Sequence, residues 1–272
     1  MSRIDTIVQE RLAANQKVLI PYLVAGDPDL ATSLRLMHAL VDAGADIIEL
    51  GVPFSDPSAD GEVIQKGAER SLANGTTLLE VIELVAAFRQ QDKRTPVVLM
   101  GYLNPVEIMG YEEFVAAASE AGVDGILLVD MPPVESLALG TLLKDAGIDL
   151  IFLVAPTTSE ERAKLIAERC TGYLYYVSLK GVTGAAISDS ESIAKNVNLL
   201  RTYSKIPIVI GFGIKDPDSA ARMGALADGV VIGSALVEKI ATLAGQAAID
   251  DAAITERVAL IANTRTRLDQ GS

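Results

Sequence analysis

Eight short runs of aliphatic and β-branched residues recur along the 272-residue chain, and they constrain its fold more than any other feature. Their near-continuous hydrophobicity is typical of parallel strands buried on both faces, and not of the alternating pattern of a half-exposed antiparallel sheet. Segments with helical spacing separate the runs, for example the one that holds Leu34, Met37, Leu40 and Val41. The predicted strands are 18–23, 47–50, 97–100, 125–129, 150–154, 173–177, 208–210 and 230–232.

A phrase of the form Ala-Gly-x-Asp precedes several of these runs, at Gly44, Gly122 and Gly147, with a looser echo at Gly224. Each fits a helix that ends at a left-handed glycine and passes at once into the next strand. Eight βα units in a chain of this length predict a closed α/β barrel, the (β/α)8 TIM barrel, because an open doubly wound sheet usually has fewer strands. The gap between the second and third runs has room for an extra helix at about 60–73, and a last outer helix is expected after residue 247.

Composition limits the domain number and the class of partner. No linker rich in proline, glycine or serine divides the chain, so residues 1–272 are predicted to form a single TIM-barrel domain. A net charge of −13 repels phosphate backbones and anionic lipid surfaces, which predicts no nucleic acid partner and no membrane partner. The N-terminus lacks the basic start and apolar stretch of a secretion signal, and the one cysteine, Cys170, cannot form an internal disulfide. A cytoplasmic location is therefore expected.

Glycine-rich loops follow the last three predicted strands. In this fold the active site lies at the carboxyl ends of the strands, and the loops after strands seven and eight commonly bind phosphate. These loops contain Gly213 and the pair Gly233-Ser234, and Gly181–Gly184 follows strand six. Any one of these glycines alone indicates a tight turn, but three consecutive loops on one rim favour a phosphate site built from backbone N–H groups.

Two carboxylates lie at or after the end of the second predicted strand. Glu49 lies among residues expected to be buried, and burial would raise its pKa and allow it to act as acid and as base near neutral pH. The alternative is a rim carboxylate paired with a cation, and the strand alone does not decide between the two. Asp60 follows in the next loop, where its alternative role is the N-cap of the extra helix.

Other chemistries lack the residues they need. His38 is the only histidine and lies mid-helix, which excludes a multi-histidine metal site and predicts no bound metal. The lysines fall outside the strand interiors, so Schiff-base chemistry has no good candidate. A metal-free acid–base site with two carboxylates and a phosphate cradle remains. Such a site can break a C–C bond only if the substrate carries its own electron sink.

Longer motifs relate the chain to a known family. The segments 49–57, 59–61 and 63–65, together with Gly101–Pro105, Asp130–Pro133 and Gly211–Gly213, give it a close resemblance to the tryptophan synthase α-subunit family over about residues 1–268. The resemblance implies a lyase that cleaves indole-3-glycerol phosphate to indole and glyceraldehyde 3-phosphate in tryptophan biosynthesis. In it, Glu49 would deliver a proton to indole C3 and handle the hydroxyl proton, and Asp60 would bind the indole N–H and stabilise the charge that develops on the ring.

The resemblance also assigns binding residues. Thr183, in a mobile lid at Gly181–Gly184, would contact the Asp60 side of the site when the lid closes. The phosphate site would comprise Gly184, Gly213, Gly233 and Ser234, and the residues around the indole would be Tyr22, Ile64, Met100, Leu127, Tyr175 and Phe212. The chain departs from the family pattern at Ser58, Glu62 and Leu179, and Tyr22 stands where phenylalanine is common. These departures concern lid closure and partner contact more than the chemistry.

The resemblance further implies a partner, a tryptophan synthase β subunit in an α2β2 assembly that receives the indole. Pyridoxal phosphate would belong to that β subunit, and this chain would bind no cofactor. The expected contact surface is the set of rim loops that hold Pro53, Asp56, Asn104 and Pro132. Two alternatives are a phosphate-binding epimerase or isomerase, which would need metal and histidines, and a noncatalytic subunit that only activates its partner, against which the intact Glu49 and Asp60 argue.

Overall fold

The eight predicted strands form one closed parallel barrel. The computed structural model describes residues 1–178, 187–211, 213–246 and 248–271, except for the side chains of 187–189. The strands lie within one residue of the predicted bounds at each end: β1 (Val18–Val24), β2 (Ile48–Gly51), β3 (Val97–Gly101), β4 (Gly125–Leu128), β5 (Asp149–Val154), β6 (Leu174–Val177), β7 (Ile208–Gly211) and β8 (Gly229–Ile232). Each strand pairs in parallel with the next, and β8 pairs with β1, which confirms the (β/α)8 barrel.

Helices surround the barrel. In the described residues they are α1 (Arg3–Ala13), α2 (Leu30–Asp42), α3 (Glu62–Ala73), α4 (Leu78–Phe88), α5 (Leu103–Met109), α6 (Tyr111–Ala121), α7 (Leu137–Asp145), α8 (Glu160–Arg169), α9 (Ile187–Tyr203), α10 (Pro217–Gly224), α11 (Ser234–Ala241) and α12 (Asp251–Gln270). The extra helix expected between the second and third strands is α3, and the last outer helix is α12. Within the described part of the chain, no single helix is long and apolar enough to cross a membrane; one sharply bent pair, α3 with α4, meets the length and composition test.

Two apolar layers hold the barrel together. Outward-facing strand residues such as Leu19, Leu50 and Leu99 pack against the helices in one buried cluster, while inward-facing residues such as Ile20 and Val98 form a second cluster inside the barrel. Ile4 of α1 belongs to the inner cluster and is fully buried. Each such side chain contributes roughly 1.5–3 kcal/mol by its burial, so the strands are held from both faces.

The Ala-Gly-x-Asp phrase ends helices as predicted in three of its four occurrences. Gly44, Gly122 and Gly147 have φ angles of 95°, 83° and 73°. The prediction is wrong for Gly224, which is the last residue of α10 and has no positive φ. Three residues separate Gly224 from Asp228, whereas one separates the glycine from the aspartate elsewhere, so this glycine still lies within the helix.

The aspartates of this phrase complete the amino ends of the strands. Asp46, Asp124 and Asp228 each accept a hydrogen bond of 2.8 Å from the first free N–H of the preceding strand in the barrel. Each is also paired with arginine side chains from outside the barrel, for example Asp124 with Arg89 at 2.5 Å. The amino ends of the strands are therefore tied to the surrounding helices by ion pairs, at the end of the barrel opposite the one where this fold places its active sites.

Candidate active site

A cavity of about 870 Å³ opens at the carboxyl ends of the strands, where this fold places its active sites. It contains both candidate carboxylates, Glu49 and Asp60, and it extends to the loops after β7 and β8. Its volume lies in the range of small-molecule sites. The described lining residues are Tyr22, Glu49, Asp60, Gly61, Val63, Ile64, Met100, Tyr175, Gly213, Ile214, Lys215, Val231, Gly233, Ser234, Ala235, Glu238, Lys239 and Thr242.

Glu49 is fully buried on β2 and faces the barrel interior. The Tyr173 hydroxyl donates a hydrogen bond of 2.6 Å to its Oε1, while its Oε2 is buried without a hydrogen-bond partner in the described residues. Burial raises the pKa of Glu49 to about 7, and the hydrogen bond from Tyr173 limits that rise. The rim ion pair considered as an alternative is absent from the described residues. Glu49 can thus give and accept a proton near neutral pH through Oε2, which no described residue engages in a hydrogen bond.

Two tyrosines reach across neighbouring strands above Glu49. The Tyr22 ring lies over Gly51, where an added Cβ would be 2.1 Å from the phenol oxygen, and the Tyr175 ring lies over Gly211, where that distance would be 1.9 Å. Burial is the largest cause that raises the pKa of both phenols, so both stay protonated in the working pH range. The two glycines are therefore required by the site, because any side chain there would displace a ring from the cavity wall.

Asp60 lies in the loop between β2 and α3. The Tyr102 hydroxyl donates a hydrogen bond of 2.9 Å to its Oδ2, and the backbone N–H of Ala59 donates to the same tyrosine oxygen at 3.0 Å. Burial raises the pKa of Asp60, and the Tyr102 hydrogen bond opposes the rise. The N-cap alternative is wrong, because α3 begins at Glu62 and its N-cap is Gly61, without a side-chain cap. The carboxylate is instead held at the cavity wall.

The loops after β7 and β8 form the other end of the cavity. Gly213, with a φ of 76°, Gly233 and Ser234 all line it. Helix α11 begins here, its N-cap Gly233 makes no side-chain cap, and the N–H groups of Ser234 and Ala235 donate to no described residue. The start of α10, in contrast, is capped by the Asp216 side chain. The open N-terminus of α11 is thus suited to an anion.

Other predicted residues have different outcomes. Leu127 is fully buried in the inner cluster but is not among the described lining residues of the cavity. Thr183, Gly184 and Phe212, together with the departure at Leu179, lie outside the described residues. The other expected indole-binding residues, Tyr22, Ile64, Met100 and Tyr175, line the cavity with the two carboxylates.

Sequence reasoning missed the two tyrosines that hold the carboxylates. Tyr102 directly follows β3, at the strand-end position where functional residues of this fold are found, so its place along the chain could have indicated it. Tyr173 precedes β6 and lies 124 residues from Glu49 in sequence, and no local pattern connects the two. The two residues come into contact only in the folded barrel, so the sequence alone could not indicate the role of Tyr173.

The residues set aside for metal or thiol chemistry are structural. Cys170 is buried at the end of α8, and burial raises the pKa of its thiol to about 12. His38 packs its ring against Phe88, with 4.8 Å between the ring centroids. No group of three or more histidine, cysteine, aspartate or glutamate side chains in the described ranges could hold a metal ion.

Comparisons with known proteins agree with this geometry. A sequence model described as "Tryptophan synthase alpha chain" matches residues 8–265. The tryptophan synthase alpha chain of Thioalkalivibrio sulfidiphilus is 57% identical over 241 residues, covering 89% of this chain and 91% of that protein, and the one of Dechloromonas aromatica is 50% identical over 99% of both chains. The crystal structure of tryptophan synthase subunit alpha from Legionella pneumophila superimposes with a TM-score of 0.91 at 41% identity and covers 99% of both chains. The chain belongs to the tryptophan synthase alpha chain family.

Proposed function

We propose that Glu49 and Asp60 are the groups with which this chain performs the reaction of its family. That reaction is the cleavage of indole-3-glycerol phosphate to indole and glyceraldehyde 3-phosphate, and the chain is accordingly a lyase of tryptophan biosynthesis. The assignment rests on the environment of Glu49. Burial raises its pKa to about 7, its buried Oε2 has no described hydrogen-bond partner, and it lines the same cavity as Asp60.

Glu49 is suited to both proton transfers. In its protonated form it gives a proton to indole C3, which converts the ring to an indolenine with an electron-accepting C=N bond. The resulting carboxylate then takes the proton of the side-chain hydroxyl. The C–C bond breaks, its electrons restore the aromatic indole, and the hydroxyl carbon becomes the aldehyde of glyceraldehyde 3-phosphate. Glu49 ends the cycle protonated, so no other acid or base is required.

Asp60 stabilises the charge that develops on the ring. Its carboxylate accepts a hydrogen bond from the indole N–H, and its negative charge favours the cationic indolenine over the neutral substrate. Tyr102 holds one oxygen of Asp60 at 2.9 Å and leaves the other for the substrate. A group held in place before the reaction costs no reorganisation during it, which is the physical value of this tyrosine.

The rest of the cavity binds the two ends of the substrate. The N-terminus of α11, with Gly213, Gly233 and Ser234, takes the phosphate, and Gly184 completes that site from the loop after β6. Tyr22, Ile64, Met100 and Tyr175 enclose the indole ring, and Leu127 belongs to the same buried cluster. The family resemblance adds Phe212 to the residues around the indole. The family resemblance assigns to Thr183, in a lid at 181–184, a contact with the Asp60 side of the site on closure, which would exclude water.

A direct assay tests this function. Purified chain incubated with indole-3-glycerol phosphate should release indole slowly alone and faster with a β subunit. Glu49→Gln keeps the size of the side chain but removes the proton, so turnover should fall by at least about 1,000-fold while substrate binding persists. The matched control is Glu83→Gln, which changes an exposed glutamate on α4 and should keep full turnover. Indole release by Glu49→Gln at the wild-type rate would remove Glu49 from the acid–base role.

The family name implies a β-subunit partner, and the finer proposal is an α2β2 assembly. Its support is three large apolar side chains, Ile108, Val134 and Leu137, which are 78%, 66% and 66% exposed. These residues follow β3 and β4, as do Asn104 and Pro132 of the expected contact loops. Large apolar side chains exposed together mark association sites.

Three further properties complete the proposal. Pyridoxal phosphate belongs to the β subunit, because the cleavage described above needs only side chains of this chain. The chain forms a single domain over residues 1–272, which the pairing of β1 with β8 supports, since the first and last strands share one sheet. Its location is cytoplasmic, in keeping with a small-molecule phosphate substrate and a soluble partner.

A further inference from the structure

The cavity wall continues beyond the backbone phosphate site to two lysines. Lys215 follows Gly213 and Ile214 in the loop after β7, and Lys239 lies in the second turn of α11, the helix that begins at Ser234. Both side chains are exposed and both residues line the cavity. The two elements that present backbone N–H groups to the phosphate thus each carry an ammonium group as well.

Neither ammonium group is neutralised by the described part of the protein. Lys66 and Lys164 form ion pairs of 2.6 Å and 2.7 Å with glutamates one turn away on their own helices, whereas Lys215 and Lys239 have no ion pair or hydrogen-bonding partner for their side chains among the described residues. This leaves two positive charges available to a ligand.

The charges of the cavity are separated by position. In the described lining, Glu49 and Asp60 occupy the indole end, and both lysines occupy the phosphate end together with a single carboxylate, Glu238. The phosphate end therefore carries one net positive charge, in a protein whose net charge is −13. The overall negative field of the protein repels an approaching phosphate monoester dianion. The positive charge at the phosphate end attracts it locally, toward the backbone N–H groups.

We propose that Lys215 and Lys239 recognise the dianionic phosphate of the substrate at the mouth of the cavity and guide it to the backbone site. This rests on the proposed function, and it adds two specificity-determining side chains to a phosphate site otherwise made of neutral dipoles. Because the lysines are exposed, their effect is screened by salt: the Debye length is about 10 Å at 0.1 M and about 3 Å at 1 M ionic strength. Their contribution belongs to substrate capture and not to the chemical step.

The test is the salt dependence of kcat/KM in a charge-matched pair of double variants. Lys215→Gln/Lys239→Gln removes both ammonium groups from the cavity. Lys144→Gln/Lys205→Gln is the control, because these exposed lysines precede β5 and β7 at the opposite end of the barrel and the change in net charge is the same. At low ionic strength the cavity variant should lose on the order of 10-fold in kcat/KM, mostly through KM, and the control should lose less than about 2-fold. The difference should shrink as salt is raised toward 1 M.

Substitution of Glu238, the carboxylate at the phosphate end, should change kcat/KM in the opposite direction. Glu238→Gln removes the one negative charge at the phosphate end, so kcat/KM at low salt should rise. A merely structural role of these side chains would not produce opposite effects for opposite charges. Equal kcat/KM for the cavity and control double variants at low salt, or a loss that salt does not reduce, would overturn the inference.

A binding measurement separates this inference from the proposed function. Inorganic phosphate should raise the thermal unfolding midpoint of the wild type, and Lys215→Gln/Lys239→Gln should need several-fold more phosphate for the same shift. If the wild type released no indole but kept this lysine-dependent phosphate effect, the proposed function would fail, and recognition of a phosphate group by the two lysines would stand without an assigned substrate. If indole were released and phosphate stabilised both double variants equally, the inference alone would fail.

Discussion

At the scale of single residues, the proposed chemistry depends on two opposing effects on the pKa of Glu49. Burial in the barrel raises the pKa of the carboxyl group, and the hydrogen bond from Tyr173 lowers it, so that the result is about 7. A carboxyl group exposed to solvent would be ionised at that pH and could not protonate carbon. A buried carboxyl group without the hydrogen bond from Tyr173 would have a higher pKa. It would then release its proton less readily to indole C3, and this release must come before the carboxylate can take the hydroxyl proton.

Tyr173→Phe should therefore shift the pH dependence of the reaction. The substitution removes the hydrogen bond that favours ionised Glu49, so the pKa of Glu49 should rise. Because the proposed reaction begins with protonated Glu49, the alkaline limb of kcat/KM should lie near pH 7 in the wild type and move to higher pH in the variant. Kinetics between pH 5 and pH 10, in roughly half-unit steps, would measure the shift.

A nearby tyrosine supplies the control for this experiment. Tyr176→Phe also removes a phenol hydroxyl, but that hydroxyl belongs to β6 and accepts a hydrogen bond of 2.9 Å from Asn196 on the outer side of the barrel. Its pH profile should match the wild type. An alkaline limb that stays in place in Tyr173→Phe would show that the tyrosine does not set the ionisation of Glu49.

At the scale of elements, the strands were predictable because parallel strands buried on both faces have a strong local signature. All eight agree with their apolar runs to one residue, and the same reasoning indicated α3 in the longest gap. Contacts between distant elements had no such signature. The pairing of Tyr173 with Glu49 and the capping of Leu19 by Asp46 depend on which residues become neighbours after closure.

The glycines show the same limit. Gly44 could be predicted from its position after a helix, because a left-handed glycine is a local requirement. Gly51 could not, because its backbone does not need a glycine; the need comes from the Tyr22 ring on the adjacent strand. Asp60 was ambiguous for a related reason, since an N-cap and a catalytic carboxylate look alike until the start of α3 is known.

The contact between β1 and β2 makes Gly51→Ala a sharp test. A Cβ at this position would lie 2.1 Å from the Tyr22 phenol oxygen and 2.6 Å from its ring carbon Cζ, so the ring must move. Overpacking of this kind typically costs about 1–3 kcal/mol, and activity should fall further because the ring forms the cavity wall. Urea unfolding and kcat/KM measure the two effects.

A second substitution separates crowding from other consequences of the first. Tyr22→Leu removes the ring, so the double variant Gly51→Ala/Tyr22→Leu should regain stability relative to Gly51→Ala. Gly140→Ala in α7 is the control for adding a methyl group, because its Cβ would meet only the flexible end of Leu150 at 3.3 Å and helix propensity favours alanine. Additive free energies in the double variant would contradict direct crowding between Tyr22 and residue 51.

At the scale of the whole molecule, the two ends of the barrel have separate tasks. The amino ends of the strands hold buried ion pairs such as Asp46 with Arg265 at 3.0 Å, and the carboxyl ends hold the cavity and lead to the exposed apolar side chains. This separation lets one rim carry partner contact and chemistry together. In the proposed assembly, indole released at this rim has a short path to the β subunit bound on the same side.

The exposed apolar side chains that follow β3 and β4 predict where a β subunit binds. Val134→Asp places a charge where the proposed interface would bury an apolar side chain, so the dissociation constant for the β subunit should rise by at least about 10-fold. Leu199→Asp is the control. Leu199 is also a large apolar residue and is 47% exposed, but it lies on α9, away from β3 and β4. Sedimentation velocity with a β subunit measures both, and the unfolding midpoint confirms that each variant is folded. Unchanged affinity in Val134→Asp together with weakened affinity in Leu199→Asp would move the interface to the helical flank, and the rim could then no longer pass indole directly to its partner.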